Sequence, residues 1–445
     1  MNDSRQATSQ VAFALLLGTC LTLILRPAEM HAALNNLPIY EGFILATLLF
    51  GFPSLVQHLV WRNLRQQPAV ICAIGVMVAI AMSHLSHAYL SGALFSTSDF
   101  SKTLLLFGLT VSLTTTIRRM KVLMAVLALG GTIAAGLSVL DFTEFHDFEF
   151  VTQLSDTGEL SDTNEQLRTM RMRGIGIFSD PNDFSVLIVF CGMISLYFLN
   201  DDKHGSLRYV WLLPLVVLAA GLIYTKSRGG LMSVAVGLMV YVLCRYGKKG
   251  FLPAGVLGMC LLPVAILLRG GSGFGGSGTG HERVVLWREG LFAMRSPNLL
   301  FGTGMDSYQD IAGLVAHNSF VHAFVELGLF GGTLFLGCFF FPALGYYRLR
   351  SRLWNIAHPD VLRMYPYMAA MLAAWTMGLL SLSRAYTVST YVMLGIQVAF
   401  ANLAGRHLVE QRVLAMWDKP HLERLLGCSA VVFLGFNFFV EIFAR

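Results

Sequence analysis

The stretch RRMKVLMAVLALGGTIAAGLSVLD, residues 118–141, decides the fold. Three cations precede nineteen residues without a charge, and an acid follows. As a helix rising 1.5 Å per residue, such a run covers about 28 Å, the thickness of a bilayer's hydrocarbon core. Comparable apolar runs lie near 11–25, 39–60, 69–86, 102–117, 182–199, 209–224, 230–244, 251–268, 318–346, 366–383, 387–404 and 425–443. The expected architecture is an all-α polytopic membrane protein with about 12–14 transmembrane helices. Composition agrees: 55% of residues are hydrophobic, 13% are charged, and the mean hydropathy is +0.62, too apolar for a soluble globule.

The first run ends in Arg26-Pro27-Ala28-Glu29 rather than in a small-residue cleavage site, so it reads as a retained helix. Lysine and arginine set the orientation. With the N-terminus in the cytoplasm, Arg62 and Arg65, Arg118 to Lys121, Lys203 and Arg208, Arg245 to Lys249, Arg348 to Arg363, and Arg406 to Arg424 all fall on the cytoplasmic side. The net charge of +6 is thereby assigned to anchoring, which leaves no case for nucleic-acid binding. The seven cysteines sit inside apolar runs without metal-ligand spacing and read as small packing residues.

Two long segments then remain outside. One, about 141–181, opens with acids from Asp141 to Glu165 and turns basic at Arg168, Arg171 and Arg173. The other, about 269–317, starts in the glycine-rich run 270–280 and continues into His281-Glu282-Arg283 and Trp287-Arg288-Glu289, the pattern of an amphipathic helix. No Gly-Lys-Ser/Thr follows the glycines, so they form no nucleotide loop.

The outer face carries cations where few are expected: Arg173, Lys226, Arg228, Arg283, Arg288 and Arg384 among them. Singly, each reads as an interfacial side chain snorkelling to lipid headgroups; together they read as an anion-binding surface, because guanidinium forks match phosphate oxygens without a metal. Lys226-Ser227-Arg228 forms a tight turn between two helices. Asp180 and Asn182, around Pro181, stand at a helix start and suit capping as well as binding. His317-Asn318, nine residues, then Gly328 and Gly331 place a titratable imidazole at a helix mouth and glycines suited to close helix packing. His322 and Glu326, four apart, are placed to pair with each other or to line an acceptor path.

These motifs resemble the bacterial O-antigen ligase and O-antigen polymerase superfamily of membrane glycosyltransferases. The resemblance rests on His317-Asn318 with Gly328 and Gly331, on Thr225 to Gly230, on Gly176 to Asn182, and on Arg283 and Trp287 leading to Gly302 and Gly304. It implies a GT-C-type fold with two long periplasmic segments in the bacterial inner membrane. It also implies a glycan donor on undecaprenyl diphosphate, and a hydroxyl acceptor such as lipid A core or another glycan. His317 becomes the candidate catalytic base. Arg228 and Arg283 become diphosphate ligands, with Arg173, Lys226, Asp180, Asn182, Arg288, Asn318 and Arg384 as further substrate-binding candidates. No cofactor or metal is expected, and inversion by single displacement follows from the absence of a carboxylate pair at a recognisable spacing. The core of the resemblance lies in 141–345, between N-terminal helices in 1–140 and C-terminal helices in 346–445. Repeat-unit polymerisation is the alternative within the class. A flippase of lipid-linked sugars is the competing class, disfavoured because the polar residues gather on one face and no internal repeat is visible.

Overall fold

The computed structural model describes residues 2–35, 37–151, 153–160, 166–253, 255, 279–409 and 413–444. Its main helices are α1 (Asn2–Leu25), α2 (Ile39–Leu59), α3 (Pro68–Leu85), α4 (Leu90–Leu113), α5 (Ile117–Phe142), α6 (Pro181–Leu199), α7 (Leu212–Thr225), α8 (Arg228–Tyr246), α9 (Thr279–Ala293), α10 (Ser319–Arg350), α11 (Pro359–Leu379), α12 (Val388–Arg406) and α13 (Lys419–Phe443). Among the described residues, nine helices are long and apolar enough to cross a membrane. The chain is an all-α polytopic membrane protein. The expected run 102–117 begins earlier, at Leu90, and α4 carries the ion pair Lys102–Asp99 at 3.0 Å. The run 251–268 and the glycine-rich stretch 270–280 lie largely outside the described residues.

Among the described residues, a two-stranded sheet lies in the first long segment. Strands β1 (Leu154–Leu160) and β2 (Gln166–Arg171) pair antiparallel, with Leu154 opposite Arg171 and Asp156 opposite Thr169. The acidic half of the segment therefore folds back on its basic half, delivering Arg171 and Arg173 to the start of α6.

Helix starts follow the local sequence. Thr116, Asp180, Ser227, Asn318 and Asp418 each cap a helix through a side-chain oxygen that accepts a backbone N–H of the first turn. Pro181 and Pro420 occupy first-turn positions, where a missing N–H costs nothing.

The chain divides into two compact units interleaved along the sequence. Unit 1 comprises 1–51, 116–270 and 363–378, and in it α5, α6 and α7 pack on one another with α1 against α5 and α8 against α6. Gly131 on α5 faces the Cys191 thiol on α6, the close approach that small residues permit between membrane helices. The same unit holds a buried ionic knot. Asp201, fully buried, takes Lys121 Nζ at 3.1 Å and pairs with Arg363, tying the end of α6 to α5 and α11. Burial alone would raise the Asp201 carboxyl, but the Lys121 ammonium, the Lys203 backbone N–H and the Arg363 charge outweigh it and hold it below the usual value of 3.8. A depressed carboxylate stabilises the fold above its unfolded pKa and loses that contribution as the pH falls through the folded one. Asp201→Asn is therefore expected to cost about 2 kcal/mol at pH 7, below the figure for a fully buried pair because Lys121 and Arg363 keep some exposure. Thermal unfolding in detergent across a pH series checks this. The gap between the two proteins should close in strong acid, and equal stability at pH 7 would strip the knot of its role.

Unit 2 comprises 52–115, 271–362 and 379–445. Here α10 packs along α3, α4 bridges α3 and α12, and α9 lies against α13 and α10. The α3–α10 seam is built from small residues: a Cβ on Gly331 would fall 2.8 Å from Ala79 Cβ, and one on Gly75 2.9 Å from a Leu334 methyl. Gly331 thus meets the expectation of close helix approach. Gly328 does something else. Its φ of 69° and ψ of −171° break α10, and residues 299–304 enter the gap. In an unbroken helix, the N–H groups of Leu329 and Phe330 would donate to the carbonyls of Val325 and Glu326. Instead they donate to Leu299 O (2.9 Å) and Leu300 O (3.1 Å), while Val325 O and Glu326 O accept from Thr303 N–H (3.0 Å) and Gly304 N–H (3.0 Å). The turn replaces the lost helical bonds one for one, as buried non-helical backbone requires.

Candidate active site

In unit 1 the candidate residues collect where β2 ends, α6 begins and α7 turns into α8. Thr225 closes α7, Lys226 follows in the left-handed conformation (φ 49°), and Ser227 caps α8, leaving Lys226 and Arg228 exposed on either side of a buried serine. Ser227 Oγ donates to Asn182 Oδ1 at 2.9 Å, and Ser185 Oγ donates to Ser227 Oγ at 3.0 Å. Arg171 closes the group: its Nε donates to Thr225 O at 3.1 Å, and Nη2 donates to Asn182 Oδ1 at 2.9 Å. Asp180 is a cap, accepting from Asn182 N at 2.8 Å and Asp183 N at 3.1 Å. Asn182 and Asp180 thus shape the turn, while Lys226 and Arg228 present charge on it. Arg173 sits half-buried two residues past Arg171, just beyond Met172, whose N–H donates to Tyr224 O at 3.0 Å. Arg171 entered the sequence reading only as one of several outer cations, and its part in fixing this turn depends on the hairpin, which charge pattern alone does not reveal.

In unit 2, His317 stands half-buried immediately before α10 with φ 49°, a left-handed conformation that few non-glycine residues adopt and that clusters at functional sites. Both its neighbours are fixed. Trp287 Nε1 on α9 donates to Ala316 O at 2.6 Å, and Asn318 Oδ1 accepts from Phe320 N at 3.0 Å and Val321 N at 3.2 Å. Arg283 lies one turn before Trp287 on α9, so both project from one side of that helix. The loop between α11 and α12 is pinned beside Asn318: Ser319 Oγ donates to Leu382 O at 2.5 Å and accepts from Arg384 N at 2.9 Å. Arg288 takes a structural role, Nη1 donating to Ala444 O at 2.8 Å and so holding the end of α13.

Beneath His317 lies a buried polar cluster. His322 Nε2 is 2.9 Å from Glu326 Oε1, out of line with a hydrogen bond, and Tyr308 N–H donates to the same oxygen at 3.2 Å. Asn318 Nδ2, His322 Nδ1, Glu326 Oε2 and Ser383 Oγ are buried without a hydrogen-bond partner among the described residues. Burial, then the Glu326 charge, pushes the hydroxyls of Tyr308 and Tyr386 well above the usual range, so both stay protonated donors. His84 belongs to the same end of the unit, its Nε2 3.0 Å from Ser96 Oγ. Neither His84 nor Tyr386 carried any signal in the sequence, since each stands far along the chain from His317.

The described residues thus hold two polar groups in a multi-pass membrane protein, a cationic turn in unit 1 and, in unit 2, an imidazole near the buried Glu326. Residues 213–336 match the O-antigen ligase family model, which supports the resemblance to the O-antigen ligase and polymerase superfamily over that part of the chain. The matched span includes Thr225 to Gly230, Arg283 and Trp287, Gly302 to Gly304, and His317 to Gly331; Asp180, Asn182 and Arg173 precede it. No curated protein matches the chain.

Proposed function

We propose that this chain is a GT-C-type glycosyltransferase that moves a glycan from undecaprenyl diphosphate to a hydroxyl acceptor at the periplasmic face of the inner membrane, in the manner of an O-antigen ligase. The observation that carries the reading is the family match over 213–336, which takes in the histidine and the two cationic motifs together. Chemically, the acceptor oxygen bonds to the anomeric carbon as that carbon's bond to the diphosphate breaks. The diphosphate keeps the electron pair, and the acceptor proton passes to His317. An imidazole suits that task because its ordinary pKa lies near neutral pH. Arg228 and Arg283 stabilise the charge gathering on the diphosphate, with Arg173, Lys226 and Arg384 as further cations; fixed guanidinium charge does this without a metal. A single displacement inverts the anomeric configuration. Asp180, Asn182 and Asn318 act by fixing the turns on which these groups stand, and Arg288 by holding α9 to the chain's C-terminal end.

Ligation and repeat-unit polymerisation share this donor chemistry and differ in the acceptor, lipid A core or a carrier-linked repeat. Deleting the protein separates them. Long polymer left on the carrier lipid is the result expected of a ligase. Single repeats capped onto the core would assign polymerisation instead, and unaltered surface glycans would remove both.

A further inference from the structure

At the end of unit 2 farthest along its helices from His317, a cavity of about 470 Å³ opens between the α2–α3 link, the last third of α10, the final turns of α12 and residues 413–415. Its polar wall is made by Arg406, His58, Asn63, Gln66, Gln67 and Asn402, and none of the described lining residues is acidic. Phe341, Pro342 and Leu414 form an apolar wall opposite. The walls are braced. Asn402 Nδ2 donates to Gln67 Oε1 at 3.1 Å, Trp417 N–H donates to Arg65 O at 2.7 Å, and Arg348 Nη1 donates to Leu414 O at 3.1 Å. Among the described residues Arg406 makes one long hydrogen bond, Nη1 to Thr115 O at 3.4 Å, which leaves other donors of its guanidinium to an anion. His58 is followed by Leu59, Val60 and Trp61, all exposed, the composition of a helix end at a membrane interface.

We propose that this cavity binds the phosphate of an anionic phospholipid headgroup. Arg406 takes the phosphate oxygens, the carboxamides donate to the remaining ester oxygens, His58, whose Nδ1 is 3.1 Å from Ser54 O, accepts at Nε2 from a glycerol hydroxyl, and the apolar wall receives the start of the acyl chains. Basic pockets between helices, on the leaflet marked by lysine and arginine, recognise headgroups in this way, and a cavity of this size holds a headgroup with its glycerol. The phosphate ester is the recognised chemistry; a free phosphate would use the same donors but would leave the apolar wall uncovered.

Native mass spectrometry of the purified full chain tests this with three probes: short-chain phosphatidylglycerol, short-chain phosphatidylcholine and inorganic phosphate. Phosphatidylglycerol is expected to bind roughly tenfold more tightly than phosphatidylcholine, and Arg406→Gln to remove that preference. Ala401→Leu fills the cavity without touching a charge and should lower retention of phosphatidylglycerol comparably, which decides the matter should Arg406→Gln not fold. Inorganic phosphate binding as tightly as the lipid would overturn the lipid assignment. Equal retention of both lipids, or unchanged retention in both variants, would overturn the site.

Discussion

Purified His317→Asn, reconstituted with a lipid-diphosphate glycan and an acceptor, is expected to transfer glycan roughly 10²- to 10⁴-fold more slowly than the parent, the usual contribution of a positioned general base. Asparagine is the informative replacement. It tolerates the left-handed backbone at this position better than most residues, keeps hydrogen-bonding capacity, and cannot accept the proton. His317→Ala should lose as much activity and additionally strain the turn, since alanine adopts φ near 49° poorly. Both variants should reach the membrane, because the turn is held by Trp287 through Ala316 O and by the Asn318 cap, neither of which uses the imidazole. Near-parental turnover by His317→Asn would show that the residue shapes backbone rather than chemistry. A loss confined to KM, with kcat intact, would move His317 from proton acceptor to substrate ligand.

The largest expected effect on stability comes from Gly302→Ala or Gly328→Ala. Both glycines sit at positive φ, 78° and 69°, and a Cβ on either would run into the other's backbone: Glu326 and Gly328 for Gly302, Leu300 and Gly302 for Gly328. Left-handed strain costs about 1–2 kcal/mol. The obstructing atoms are main chain on both sides, so relief requires opening the four hydrogen bonds that replace the missing helical ones, in a place where water does not substitute for them. A total of ~3–6 kcal/mol is therefore expected, enough to prevent accumulation of folded protein. Gly427→Ala is the matched control, since a Cβ there meets nothing within 4 Å. Intrinsic-fluorescence melting in detergent should separate the three, and a Gly328→Ala protein as stable as Gly427→Ala would show that the break closes into ordinary helix.

Much of this architecture was legible because the bilayer simplifies the code. Long uncharged runs punctuated by arginine mark the helices, and the polar residues beside Pro181 mark the cap at Asp180, whereas the caps at Ser227 and Asn318 emerge only in the structure. The amphipathic pattern after the glycine run gave α9. Gly328 was read as a packing glycine, as Gly331 is, because a glycine inside an apolar run has the same local surroundings whether a neighbouring helix or a folded-back turn lies against it. The hairpin of β1 and β2 escaped for a similar reason, its strands lacking clean alternation of apolar and polar residues. The pairing of His322 with Glu326 was legible from spacing; the backbone N–H that Glu326 accepts from Tyr308 was not, because that contact depends on the break at Gly328.

That break also fixes lengths. Residues 299–304 are registered against 325–330 at both ends of the gap, and Tyr308 is tied back to Glu326. An inserted or deleted residue in 300–303 or 326–329 would therefore throw one pair of bonds out of step with the other, and one added within 319–325 would rotate the imidazole-bearing end of α10 by about 100° relative to the turn. A change in length is best absorbed at 313–315, between the helical turn Tyr308–Ala312 and the Ala316 carbonyl that Trp287 holds. In related chains, size variation between the two glycines should be confined to that short arc, a ruler built into the protein just ahead of the histidine.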